Sequence, residues 1–590
     1  ATLAYHAAVL EAGGAAAQAT APATAPGGSR KDGRDAARSA AALPPLADRL
    51  ASYREVARLA APGPAAPAGA AQPGSAAPEA IRSYARASSL DGSLQPYALR
   101  LPTGLDQKKR YALLLCLGAE GGSAREAAAG IEGAGAADFI VAAAPRRSGA
   151  TAGVIELSGF LEELLAGLPV DPERVYLAGW REGADDALAL ARLRPGRFAA
   201  VAAFSGWRGE EGLAALARTP ILLVVGGADT RVPPGAAAAL AERLRAERCP
   251  ISFEAVPGGD PWEAWTGSEG PERLLVWLRA RRRDPWPERV ELRSPRPRFG
   301  RADWLAVLEH ETPGEPAAAS ALVVDERHLE VETENVALLT LDLRHPRLAS
   351  RGRIVLSING AEATADAGSP GALFALDPAD GRLRPLPASG RSGAAPPAGI
   401  AAPPNGGGGV VDLRHRPLAI VYGTAKARES AALRALAETL AQDLGVGEAL
   451  EPRVLPDLEA AELPPGSVSF LLVGGPESNR LTARLAAGLP LRFARGSLEV
   501  AGAVYPRAGS FLVRPNPEAP GQLVGLLDLP LGPAALASAL ETIFAPLRRA
   551  AESATDSGGP DLLVFDAEAR VLRAGSYDAR WEALRPRRDQ

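Results

Sequence analysis

The chain has 590 residues, more than a single hydrophobic core accommodates, so about two to four domains are expected. With 47% hydrophobic and 23% charged residues its composition is that of a globular protein. A net charge of -4 offers no footprint for nucleic acid or an anionic membrane. Two cysteines, Cys116 and Cys249, exclude a disulfide framework and, beside only five histidines, a zinc site of the usual spacing; both are expected to be thiols.

Residues 1–84 are rich in Ala, Pro and Gly, with one helical pattern at 46–60 (LADRLASYREVARLA) between tracts that read as flexible. The first residue is Ala1 and no methionine occurs, so a processed, extracytoplasmic product is expected. No apolar run is long enough for a bilayer.

From 85 to 285 apolar strands alternate with amphipathic helices. Strands are expected at 94–101, 111–117, 138–143, 174–178, 199–204, 220–225 and 251–256, and helices at about 154–166, 182–193, 235–247 and 271–282. Such alternation predicts an α/β domain with a mainly parallel sheet covered on both faces. Residues 286–365 switch to period-two alternation, as in HLEVETENVALLTLDL, which predicts a small antiparallel β module. A Pro/Gly-rich connector is expected over 366–410. A second, smaller α/β domain follows at 411–550, and 551–590 reads as a tail with one strand, DLLVFD.

Within the first α/β region, VYLAGWREGADDALALARLRP runs from a strand into a helix through a turn flanked by Gly179 and Gly183. PILLVVGGADTRVPP places Asp229 in a loop after a strand, and FEAVPGGDPWEAW places Asp260 and Pro261 in a later loop. With LQPYALRLPTGL and YALLLCLGAEGG, these stretches resemble the α/β-hydrolase family, in particular its prolyl-oligopeptidase-like and polyester-depolymerase-like esterases. The resemblance covers residues 85–285, about a third of the chain. It implies a nucleophile elbow, G-x-S-x-G, at 179–183, an acid at Asp229, a histidine near Asp260, and an oxyanion loop after Leu117.

The implied machinery is incomplete. Arg181 stands at the nucleophile position and can neither ionise to a nucleophile nor form an acyl intermediate. Asp260 stands where the base is implied, and Gly118-Ala119 replaces a His-Gly pair. The five histidines are His6, His310, His328, His345 and His415, so none falls within 85–285. A serine triad needs its base within hydrogen-bond reach.

The expectation is therefore a catalytically inactive member acting as a structural, scaffold or binding component, with protein partners, no nucleic acid and no cofactor. Arg181, Asp229 and Asp260 mark degenerate triad positions. One alternative is a serine hydrolase with a non-standard nucleophile, for which Ser205 and Ser148 are available. Another is an anion sensor built from Arg181 with the amides of Gly118 and Ala119. Because a cation is unfavourable at a helix N-terminus, Arg181 is expected to pair with Asp229 or with Glu182, Asp185 or Asp186.

Other motifs have plainer readings. The arginine-rich run 278–298 is expected to be a helix end and domain junction, and Gly423, Thr424 and Lys426 an ordinary strand-to-helix turn without Walker A spacing. Glycines 474 and 475 are expected to permit a tight turn. The pairs Asp185-Asp186 and Glu162-Glu163 are adjacent in sequence and cannot face each other on a helix.

Overall fold

A computed structural model describes residues 81–386 and 409–586, apart from 89, 91–93, 129–130, 132–135, 148–149, 207–212, 258–269, 313–314, 378, 415, 446–451, 465, 531–532, 553–558, 578–580 and 582–583. The helix expected at 46–60 and the tract at 387–408 lie outside the described residues.

The first layer is an eight-stranded sheet. Its strands are β1 (Arg82–Ala87), β2 (Leu94–Arg100), β3 (Tyr111–Leu117), β4 (Phe139–Ala144), β5 (Val170–Trp180), β6 (Ala200–Phe204), β7 (Ile221–Gly226) and β8 (Ile251–Val256). They lie in the order β1-β2-β4-β3-β5-β6-β7-β8, parallel from β4 to β8, with β2 antiparallel to both β1 and β4. The central strands are uninterrupted apolar runs because both faces are covered: YALLLCL, FIVAAA and ILLVVG are buried almost throughout. The helices that cover them are α1 (Ala124–Ala127), α2 (Ala150–Gly167), α3 (Glu182–Leu193), α4 (Pro234–Ala246) and α5 (Gly270–Arg279). Helix α3 shows why they dock: Ala184, Ala187, Leu188, Ala191 and Leu193 fall on one face and join the core between the helices and the sheet. The domain is α/β, with the mainly parallel sheet covered on both faces that the alternation predicted.

Strand β1 carries no apolar run and escaped the sequence reading. It is held by Arg86, which is buried and bonds Glu163 of α2 through Nε (3.1 Å) and Nη2 (2.9 Å), and also bonds Glu156.

Ten strands follow, from β9 (Arg289–Ser294) to β18 (Arg382–Pro385), as two five-stranded sheets packed face to face. Alternation in the sequence translates directly: β9 is exposed and buried by turns, and β12 (Ala317–Val323) buries every second residue. The module is a two-sheet sandwich, and two details depart from the sequence reading. Its strand β13 (His328–Glu334) pairs in parallel with β15 (Arg353–Ile358). It also runs to Pro385, through β17 (Ala372–Asp377), past the boundary expected at 365.

The second α/β unit has parallel strands β20 (Arg453–Pro456), β19 (Leu418–Tyr422), β21 (Ser469–Val473) and β26 (Ala519–Asp528), in that spatial order. The sheet continues antiparallel through β25 (Gly509–Asn516), β27 (Leu562–Phe565), β28 (Val571–Tyr577) and β29 (Leu584–Pro586). The strands at 562–565, 571–577 and 584–586, expected as part of a tail with one strand, thus complete this sheet. Helices α6 (Gly409–Arg414), α7 (Ala427–Gly445), α8 (Asp457–Ala460), α9 (Arg480–Leu485) and α10 (Pro533–Glu552) belong to this unit, whose core is one continuous apolar cluster. A three-stranded sheet, β22 to β24 (Leu491–Pro506), is appended.

The arginine-rich run is a junction, as expected. Arg279 pairs with Asp138, Arg282 with Glu173 (2.6 Å) and Asp171 (3.2 Å), and Arg296 with Asp412 of the second α/β unit (3.1 Å). Arg283 bonds Asp303 (2.8 Å), a carboxylate fully enclosed between the first sheet and the sandwich, which Arg218 also holds.

Candidate functional site

The turn between β5 and α3 is a single residue, Arg181, with φ 52° and ψ -117°. A side chain at positive φ is strained, and β5 running straight into α3 with one residue between them leaves no other route. The Arg181 N–H donates to Phe204 O (2.8 Å), and Arg181 O accepts from Ala184 N (3.0 Å) and Asp185 N (3.3 Å). The flanking glycines are there for close approach: a Cβ on Gly179 would lie 2.1 Å from Gly183 O, and one on Gly183 would lie 2.2 Å from Leu117 O. The turn is therefore a tight, one-residue strand-to-helix connection between close-packed glycines, with an arginine on it.

The expected ion pair of Arg181 is not formed. Among the described residues its guanidinium makes no ion pair; it lies 5.7 Å from the centre of the Trp180 ring, and the carboxylate that senses its charge is Glu182. The reason is competition. Two other arginines reach the same turn of helix: Arg231 Nη2 lies 2.9 Å from Asp185 Oδ2 and its Nη1 3.2 Å from Glu182 Oε1, while Arg146 Nε bonds Asp186 Oδ2 at 3.2 Å. Arg146 also reaches Glu120 (3.3 Å). Glu182 and Asp185 sit in the first turn of α3, where the helix dipole favours carboxylates, and Asp186 follows directly after it.

Glu182 reaches a backbone donor from another loop. Its Oε2 accepts from the N–H of Glu120 (3.3 Å), in the loop after β3. Burial opposes its ionisation, but the nearby backbone amides of Glu182 and Glu120, with Arg231 and Arg181, outweigh it and hold the carboxyl below the usual glutamate range. Asp186 goes the other way: burial pushes it up to about 7 against the pull of Arg146, and the neighbouring charges of Asp185 and Glu182 add to the rise.

Gly118 and Ala119 were the candidate anion-binding amides. The Gly118 N–H is already used, donating to Ala144 O (3.1 Å), and a Cβ there would press on Ala127 at 3.2 Å. Ala119 contributes its carbonyl to the Gly122 N–H (3.2 Å). The amide that faces the elbow carboxylate is the next in line, Glu120, a position the sequence reading missed by one residue. Its signal was the short Gly-Ala-Glu-Gly-Gly stretch after β3.

Asp229 organises its own loop: Oδ1 accepts from Arg231 N (2.9 Å) and Val232 N (3.0 Å). Its Oδ2 is sealed from solvent and has no hydrogen bond among the described residues. Ser205 is fully buried, at φ 51°, and its Oγ likewise has no partner among the described residues, so no base stands beside it. Asp260 and Ser148 lie outside the described residues. The adjacent acid pairs are split as expected, with Glu162 on Arg197 (3.6 Å), Glu163 on Arg86, Asp185 on Arg231 and Asp186 on Arg146. Cys116 and Cys249 form no disulfide and are buried, and burial pushes both thiols up to about 12.

In the second α/β unit the loops after β19 and β21 lie side by side. Thr424 Oγ1 donates to Asp457 (2.5 Å), Lys426 pairs with Glu477 (2.6 Å), and a Cβ on Gly423 would meet Ser478 O at 2.3 Å. Gly474 has φ 104°, and a Cβ on Gly475 would meet the Asp528 carboxylate at 2.6 Å. Both are tight turns stitched by internal ion pairs. Among the described residues no group of three or more His, Cys, Asp or Glu is placed to hold a metal ion, and no helix is long and apolar enough to cross a membrane.

The first domain is an α/β domain with an eight-stranded, mainly parallel sheet. No family model and no curated relative matches the chain. Among solved structures it is similar to a thermostable esterase at 17% identity and TM-score 0.31, over 34% of this chain and 63% of that one. It is also similar to a ferulic acid esterase of the anaerobic fungus Anaeromyces mucronatus (18% identity, TM-score 0.29, 34% of this chain and 91% of that one). A third is SOBER1 of Arabidopsis thaliana (18%, TM-score 0.26, 29% and 98%).

Proposed function

We propose that this protein is a non-catalytic binding or scaffold component that keeps an α/β-hydrolase-like domain as framework. The observation that carries this reading is the elbow itself: Arg181 occupies the only residue of the turn, and residues 85–285 contain no histidine. Acyl transfer needs a nucleophile, a base within reach and amides facing the developing oxyanion. Here the turn position carries no nucleophile and 85–285 no histidine, and the Glu182 carboxylate accepts from the Glu120 amide. The enclosed Asp303 clamp and the Arg296–Asp412 pair suit a rigid multidomain frame.

The test is incubation of the full chain with a fluorophosphonate serine probe, together with assays on short-chain esters and peptide substrates. No labelled serine and no turnover is the expected result. Labelling at a single serine, Ser205 or any other, would overturn the reading in favour of a hydrolase with a displaced nucleophile.

A further inference from the structure

We infer that His310 and Asn335 form an acid-released clasp, which holds the chain where it crosses between the two sheets of the sandwich and lets go when the imidazole gains a second proton. The inference is independent of whether the first domain turns over a substrate.

His310 ends β11 (Leu305–His310), whose pairing with β14 (Val336–Leu341) is irregular on both sides of Glu309, and β12 opens the opposite sheet at Ala317. An irregular strand end gives up ladder bonds, so side chains must hold the crossing. Asn335, in the turn before β14 at φ 55°, does most of this. Its Oδ1 accepts from Thr312 N (2.6 Å), and its Nδ2 donates to Thr312 O (3.2 Å), Glu315 O (3.1 Å) and Pro316 O (3.1 Å). His310 adds the last tie, from Nδ1 to Glu315 O at 2.7 Å.

A carbonyl oxygen only accepts, so Nδ1 carries the proton and Nε2 the lone pair. Nε2 is sealed from solvent and has no hydrogen bond among the described residues, and the whole residue is 3% exposed. A proton added at Nε2 therefore meets no acceptor, and the charged ring must leave its place to reach water. Glu315 O then loses its His310 donor. Burial pushes the imidazole down to about 4 against the pull of the Glu315 carbonyl, with no charged side chain among the causes. The acids nearest in the chain are Glu309, Glu311, Glu315 and Glu334, while β12 and β14 carry no titratable side chain. Glu330 and Glu332 of β13 are exposed on the outer face, and Arg301 meets β11 at its other end, opposite Ala306.

By linkage, a histidine held below its ordinary 6.5 supports the closed form fully above pH 6.5 and loses that contribution as pH falls toward 4. The opening equilibrium should rise about 30-fold between pH 8 and pH 5. Native-state hydrogen exchange of the full chain, corrected for the intrinsic rate at each pH, reads it at the amides of Glu311, Thr312 and Glu315. Wild type should lose about 30-fold in protection there, while the core amides of β13, at Leu329 and Val331, lose little. His310→Asn, which keeps a donor near the place of Nδ1 but cannot titrate, should change by less than about twofold over the same range.

An equal fall in wild type and His310→Asn would overturn the proposal, and so would a His310 ring that titrates near 6.5 in the folded protein by NMR of the labelled histidines. A parallel loss at Thr312 and throughout β13 would overturn it too, because the acid then unfolds the module instead of releasing one end. Should His310→Asn not fold, His310→Phe, which fills the site and cannot titrate, is read by the same criterion, and the NMR titration of the wild-type ring decides without any variant.

Discussion

Replacing Arg181 by glycine should stabilise the first domain, although glycine is ordinarily a poor neighbour for a helix. Arg181 is held at φ 52° and ψ -117°, where a side chain costs about 1–3 kcal/mol and glycine nothing. Removing a cation from the helix N-terminus adds about 0.3–1 kcal/mol. Against this stand the Trp180 contact, about 0.5–1 kcal/mol, and the greater freedom of glycine in the unfolded chain, about 0.5–1 kcal/mol. No ion pair among the described residues is lost. The net is a gain of about 1 kcal/mol, or about 2–4 °C in a domain of roughly 200 residues. Alanine retains the strain, so Arg181→Ala should melt about 1–2 kcal/mol below Arg181→Gly, reversing the usual order of the two residues. Differential scanning calorimetry on both variants decides it. If Arg181→Ala equals or exceeds Arg181→Gly, the elbow is not strained as described.

Other perturbations follow from the same geometry. The Asp186 carboxyl, raised to about 7 from an unfolded value of 3.8, favours the folded state while protonated. Its contribution is complete below pH 3.8 and is lost as pH rises through about 7, with a slope of at most about 1.4 kcal/mol per pH unit. Asp186→Asn should therefore flatten the dependence of melting temperature between pH 4 and 7, and an unchanged profile would refute the assignment. Arg86→Ala removes the common partner of Glu156 and Glu163, whose side chains are 7% and 6% exposed, and should cost about 3–5 kcal/mol in urea titration. Loss of under 1 kcal/mol would show that water already serves that network. Both thiols should resist a disulfide reagent at pH 8 until the chain unfolds, since both are buried and pushed up to about 12. A thiol reacting within minutes in the native protein would contradict this.

Apolar periodicity alone determined the strands from β2 to β8, the helices α2 to α5 and the alternating sandwich strands, because a run such as YALLLCL can satisfy itself only between two covered faces. That no histidine falls within 85–285 was equally legible, since it is a matter of residue type and needs no coordinates. Edges and charges were another matter. Strand β1 is stabilised by Arg86 reaching 77 residues along the chain to Glu163, and β17 and β18 are strands because they complete a sheet begun elsewhere. Above all, local logic paired Arg181 with its neighbouring acids. Only tertiary structure decided otherwise, because Arg231 and Arg146 arrive from separate loops and claim those carboxylates first, leaving Glu182 also on the Glu120 amide and Arg181 without an ion pair among the described residues. Long-range electrostatics of this kind leaves no periodic trace in a sequence, so an ion pair is legible only when its partners are near in the chain.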